Sequence, residues 1–197
     1  MRKTLILIMA FSLLVGLMAI PAVAKMKAPV ITLERMEVAS FQPFFVKPRV
    51  GYKDEKNPGK VGTYGYSSTF GLAYIFKIHN PNWTKIMLDE LRFTVAFEGM
   101  EVNTPTVYED MWIPGRSTSY LRVHVLHEAF VMIVNLMVVP ANTLKVKEMG
   151  TSQGALVKKW WDTVGEFGFP IEVRNGTAIF QKGGKEVLSY FTGKFPK

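Results

Sequence analysis

Between residues 70 and 78 apolar side chains recur at every second position: Phe70, Leu72, Tyr74, Phe76 and Ile78 alternate with smaller or polar residues. That is the period of a strand with one buried face, and it predicts a strand running to His79. Asn80-Pro81-Asn82 then breaks the pattern, because proline has no amide hydrogen for a ladder and asparagine tolerates turn conformations. Alternation resumes from Ile86 to Glu98, with Phe93, Val95 and Phe97 expected on one face. Upstream, Pro29 to Phe41 is rich in β-branched and apolar residues and predicts a first strand, bent near Arg35.

Downstream, Glu98-Gly99-Met100 predicts a turn and Val102 to Tyr108 a strand. After Pro114-Gly115, Ser117 to Val125 reads as another strand with Tyr120 facing inward. Strands with these turn signals argue for a β-sandwich or an open barrel. The run from Ala129 to Val139 is too short for a bilayer, which needs about 20 residues. Phe130, Ile133, Val134 and Met137 fall at helical spacing and predict a buried helix ended by Pro140, a strand being the alternative for so many β-branched residues. Thr151 or Ser152 can cap a further helix with Leu156, Trp160 and Val164 inward and Lys158 and Lys159 away, closed by Gly165. Asn175-Gly176 and Gly183-Gly184 predict hairpin turns joining Phe169–Arg174, Thr177–Lys182 and Glu186–Phe195.

The motifs taken in order resemble the type 2 late embryogenesis abundant family, also called the water stress and hypersensitive response (WHy) domain. Val30, Leu33, Met36-Glu37-Val38-Ala39-Ser40-Phe41 is similar to its opening strand, and Phe76, Ile78 and Asn80-Pro81-Asn82 to its central signature. Ile86, Leu88, Leu91 and Phe93 resemble the next strand, Phe97-Glu98-Gly99 the hairpin, and Ile113-Pro114 with Ser117-Thr118 the proline-led strand. Ile171, Val173 and Asn175-Gly176-Thr177 resemble the closing hairpin. The resemblance implies a mainly β fold: a fibronectin-III-like antiparallel β-sandwich with one or two short helices in the C-terminal half. It implies a role in desiccation or osmotic stress, through protein clients or, in membrane-tethered relatives, lipid. Two stretches depart from the family pattern, the 44–68 insertion and the segment from Pro140 to Gly165.

The amino terminus changes where such a fold would work. Arg2-Lys3 precedes an uncharged stretch from Thr4 to Ala24 that ends Ala22-Val23-Ala24, the order of a secretory leader. The expectation is a leader over 1–24 cleaved after Ala24, a single domain over 25–197 with a helical segment at 127–165, and a periplasmic location. The alternative is an inner-membrane anchor formed by residues 4–24. The chain has no cysteine, so neither disulfides nor thiolate metal sites enter. Losing Arg2 and Lys3 takes the formal charge from +8 to +6, a basic balance that suits peripheral contact with an anionic membrane surface; nucleic acid is not an expected partner.

Chemistry is sparsely provided. His124-x-x-His127-Glu128 lacks both the zinc-protease spacing and a third ligand, and His79 is the only other histidine, so no metal and no cofactor is expected. No glycine-flanked serine elbow occurs, and neighbouring carboxylates such as Asp89-Glu90 point to opposite faces of a strand. A non-enzymatic protein with no catalytic residues follows. The candidate ligand or partner surface is Trp160-Trp161, with one indole buried and the other a rim for an apolar ligand or partner, together with Tyr52, Tyr64 and Tyr66 of the insertion. Two functions remain: a stress-protective or partner-binding module, and a periplasmic carrier of a lipid or other apolar ligand.

Overall fold

Val30–Phe41 forms strand β1 and Thr69–His79 strand β2, which pair antiparallel with a register shift between Leu33 and Arg35, where the sequence predicts a bend. The computed structural model describes residues 26–44 and 68–196. The leader expected over 1–24 and the insertion's Tyr52, Tyr64 and Tyr66 lie outside the described residues. Thr118–Glu128, β6, pairs with the other edge of β2 and completes a three-stranded antiparallel sheet ordered β1-β2-β6.

Ile86–Phe97, β3, organises the second sheet. Met100–Asn103 (β4) and Thr106–Ile113 (β5) pair in succession along one edge of β3, and Ile171–Lys182 (β7) along the other. Lys185–Phe195 (β8) extends the sheet beyond β7 through the predicted Gly183-Gly184 turn. The single strand expected over Val102–Tyr108 is therefore two, because Thr104-Pro105 interrupts it and the Pro105 carbonyl turns to accept from the Phe93 amide at 3.2 Å.

The two antiparallel sheets face each other as a mainly β sandwich. Phe70, Leu72, Tyr74, Phe76 and Ile78 of β2 are buried against Leu88, Leu91, Phe93, Val95 and Phe97 of β3, with Val173, Ala178, Phe180 and Phe191 from β7 and β8. Rings interlock within this layer, Phe76 meeting Phe93 at 5.1 Å and Phe191 at 5.3 Å edge to face. In β6 the inward face is Leu121, Val123, Val125 and His127. Tyr120, expected inside, is more than half exposed. The phase carrying three aliphatic residues wins, since a hydroxylated ring is the least costly of the apolar group to leave in water.

Asn175-Gly176 is a bulge within β7, with the register shifting between Val173 and Gly176, rather than the hairpin turn its dipeptide predicts. Asn175 takes the left-handed conformation there at φ 50°. A Cβ on Gly176 would sit 2.6 Å from the Phe191 ring and its carbonyl, so only glycine lets β8 approach.

Three helices cover one end of the sandwich. Ala129–Val138 is α1, Pro140–Glu148 is α2 and Gln153–Thr163 is α3. Proline at the first position of α2 starts that helix, which the sequence reading did not separate out, while preventing α1 from continuing; the two are bent by 94°. Ser152 caps α3, its Oγ accepting from the Ala155 amide at 3.2 Å. Gly165 does not close α3: the helix ends at its C-cap Val164 and runs into the 3-10 turn Val164–Glu166, which Phe167 closes at φ 51°.

Candidate functional site

The Asn80-Pro81-Asn82 break ties together one end of the sandwich, hereafter the turn end. The Asn80 side chain is fully buried, and its Nδ2 lies 3.0–3.2 Å from the carbonyls of Thr84, Ile113 and Pro114, sharing two hydrogens among three acceptors. Its Oδ1 accepts from the Asn82 amide at 3.0 Å and from Asn82 Nδ2 at 2.9 Å. Asn82 also exchanges two hydrogen bonds with the backbone of Lys27, holding the entry to β1 against the same turn. These residues lock the β2–β3 turn to the β5–β6 turn, and their chemistry is architectural.

The opposite end carries the helices and most of the remaining sequence candidates. Trp160 and Trp161 are both fully buried, so neither provides the exposed rim expected of one of them. Their 100° separation around α3 is covered on both sides because the helix lies across the open end of the sandwich. Trp160 meets Phe97 edge to face at 5.4 Å and donates Nε1–H to Glu98 at 2.9 Å; Trp161 meets Phe70 at 4.5 Å and donates to the Gln42 carbonyl at 2.8 Å. Each indole nitrogen has its partner, as a buried indole requires. Burial pushes the Glu98 carboxyl up, but hydrogen bonds from Lys159 and Trp160 and the charges of Lys159 and Lys145 outweigh it and hold the group below its ordinary range.

The histidines do not converge. His124 faces solvent from β6, whereas His127 is only 2% exposed, held 5.1 Å from both Phe70 and Phe97. Its Nε2 is 3.5 Å from the Tyr74 hydroxyl, and its Nδ1 has no hydrogen-bond partner among the described residues. Burial pushes the imidazole down to about 3 and the Tyr74 phenol well up, so both are neutral across the physiological range. His127 is thus a buried core residue at the end of β6. Among the described residues no three His, Cys, Asp or Glu side chains are grouped as a metal would need. Asp89 is itself the bulged residue between Leu88 and Glu90, so the two carboxylates lie side by side, half-exposed between buried Leu88 and Leu91, rather than on opposite faces as expected; Asp89 accepts from Gln181 at 2.9 Å.

The surface that the sequence reading missed is the outer face of α1. Its inward residues are Ala129, Met132 and Leu136; Phe130, Val131, Met137 and Val138 are between 46% and 65% exposed. The expected inward set of Phe130, Ile133, Val134 and Met137 is therefore wrong for Phe130 and Met137. Leu126 at the end of β6 and Leu144 of α2 extend the exposed apolar area. No formally charged residue occurs between Ala129 and Leu144. Asparagines hold the helices in place: Asn135 Nδ2 donates to the Val102 carbonyl at 2.8 Å and Asn142 Nδ2 to the Glu101 carbonyl at 3.0 Å, capping the free edge of β4. Thr143 Oγ1 lies 3.0 Å from the carbonyls of Leu136 and Met137, two of those left open where α1 stops. Among the described residues no single helix is long and apolar enough to cross a membrane, and α1 with α2 would meet that length only as a bent pair.

No protein-family model matches the sequence, and no curated protein matches it. Three solved structures are similar in outline. A crystal structure of a protein from Archaeoglobus fulgidus has 9% identity over 86% of this chain and 94% of its own, with a TM-score of 0.43. The X-ray structure of a Northeast Structural Genomics Consortium target, SoR45, has 8% identity over 85% and 87%, with a TM-score of 0.43. A solution structure of a protein from Arabidopsis thaliana has 9% identity over 89% and 87%, with a TM-score of 0.46. Likenesses this distant carry no functional argument.

Proposed function

We propose that the chain is an exported, non-enzymatic module of WHy type, with a fibronectin-III-like sandwich, that shields apolar segments of client proteins in the periplasm under desiccation or osmotic stress. The observation that carries the client-binding reading is the exposed, charge-free outer face of α1. A helix this apolar is ordinarily buried on most sides, and here Phe130, Val131, Met137 and Val138 are exposed among the described residues. An uncharged surface matches an exposed apolar polypeptide segment better than a charged ligand does. The stress assignment comes from the order of motifs around Asn80-Pro81-Asn82 and the leader-like amino terminus.

The carrier alternative has less support, because the layer between the sheets is occupied by the rings of Tyr74, Phe76, Phe93 and Phe191. A hollow of about 510 Å³ opens at the surface over Asn175-Gly176-Thr177 and Tyr190-Phe191-Thr192. Deleting the protein from its own cell should reduce survival of drying and of osmotic upshift, and supplying the Val131→Asp/Met137→Asp variant should fail to restore it. Undiminished survival of the deletion strain contradicts the proposal. A stoichiometric lipid in native mass spectra of the envelope-purified protein transfers the argument to the carrier.

A further inference from the structure

The turn end, opposite the helices, combines exposed indoles with cations that form no ion pair among the described residues. Trp83, in the β2–β3 turn, is 82% exposed, more than any other large apolar side chain among the described residues. The Arg116 guanidinium lies over its ring, 4.2 Å from the centroid, and the Lys85 ammonium lies 4.5 Å from the ring of the half-exposed Trp112. This arrangement is built in. Arg116 takes φ 56° and donates its amide to the Asn82 carbonyl at 2.8 Å, while Gly115 lies so close that a Cβ there would be 2.2 Å from the Trp83 carbonyl oxygen. Lys182 donates to the Thr84 hydroxyl, which brings the β7–β8 turn alongside.

The same turns collect charge of one sign. Lys27, Lys85, Arg116, Lys182 and Lys185 are all exposed, and none is ion-paired among the described residues. Glu186 is the only acid in the four stretches 26–29, 79–86, 113–118 and 181–186. The polypeptide also enters the domain here. Asn82 holds Lys27 through two hydrogen bonds, so the described chain leads into β1 beside Trp83.

We infer that the turn end is a membrane-docking face, in which Trp83 and Trp112 enter the headgroup layer of an anionic bilayer while Arg116, Lys85, Lys182, Lys185 and Lys27 contact lipid phosphates. Indoles favour the boundary between water and hydrocarbon because one edge is polar and the body is not. A guanidinium stacked on an indole keeps its N–H edge free for phosphate oxygens. Cations placed around exposed indoles add attraction to anionic headgroups within a Debye length of the surface. The domain would then present its helical end away from the bilayer, towards clients. The docking face shares no residue with α1, so it stands whether or not the client-binding reading does.

The test mixes full-length protein with vesicles of phosphatidylcholine, with and without phosphatidylglycerol, carrying acyl-brominated lipid as a quencher. Emission from Trp83 and Trp112 should be quenched by the anionic vesicles, and the Trp83→Phe/Trp112→Phe variant, retaining buried Trp160 and Trp161, should show little quenching. The Lys85→Glu/Lys185→Glu variant, whose two ammonium groups make no hydrogen bond among the described residues, should melt as wild type does yet bind the anionic vesicles at least about tenfold more weakly. A Lys85→Arg/Lys185→Arg variant should bind as wild type does, and Val131→Asp should leave binding unchanged. Equal binding to uncharged vesicles, unaltered binding after charge reversal, or quenching that survives loss of both indoles would each overturn the inference. So would binding to an acidic polymer without any quenching by anionic vesicles.

Discussion

Lowering the pH from 7 to 5 should destabilise this protein through one residue, His127. The imidazole is neutral in the fold because Phe70, Phe97 and Tyr74 surround it and burial pushes its pKa down to about 3. In the unfolded chain the same side chain takes up a proton below about 6.5. Protons therefore bind the unfolded state preferentially between those two values, and stability present above about pH 6.5 is lost progressively as the pH falls towards 3. At pH 5 the unfolded histidine lies about 1.5 pH units below its pKa, which costs roughly 2 kcal/mol relative to pH 7. For a domain of this size that is a fall in Tm of roughly 4–8 °C.

Glu98 does not confuse the window. Its lowered pKa contributes stability that is lost only as the pH falls below the ordinary carboxylate range, about 4.3. Thermal melts followed by circular dichroism should show the fall in wild type. In His127→Phe the Tm should be nearly level across the same interval, whatever its absolute value. Tyr74→Phe should keep the slope, since it removes the hydroxyl and leaves the buried imidazole. A wild type that melts alike at pH 7 and pH 5, or a His127→Phe variant that retains the fall, would refute the reasoning.

Other substitutions test the architecture. Asn80→Ala should lower stability by about 3 kcal/mol in urea unfolding, because the carbonyls of Thr84, Ile113 and Pro114 lose a buried donor together; a loss below about 1 kcal/mol contradicts its role in joining the turns. Gly176→Ala should cost about 1–3 kcal/mol by forcing the new methyl against Phe191, and a neutral result would mean that the β7 bulge relaxes freely.

What was legible in the sequence was mostly local chemistry. Proline and asparagine at 80–82 announce a turn by themselves, and Ser152 announces a helix start, because each acts through its own backbone hydrogen bonds. The β2 alternation was equally clear because one phase holds every large ring. Features that depend on what packs against an element were harder to read. Tyr120 and Leu121 lie in opposite phases of β6, and the sandwich interior selects the aliphatic phase. Around α1 nearly every side chain is apolar, so no period marks the inner face; it is set by Pro140 at the bend and by Asn135 reaching the Val102 carbonyl. Asn175-Gly176 favours a turn by itself, but the strand partners on both sides of β7 turn it into a bulge. Trp160 and Trp161 stand out in the sequence by their size, and only the position of α3 across the sandwich makes both of them core.

On the proposed function the exposed face of α1 is a contact surface for apolar polypeptide. It is tested most directly by light scattering from a heat-labile reporter enzyme warmed with wild type or with the Val131→Asp/Met137→Asp variant. Both replaced residues are about half exposed, so the variant should keep the wild-type melt. Wild type should suppress aggregation at stoichiometric concentration and the variant should not. Equal suppression by a fully folded variant, or none by wild type, would contradict the account.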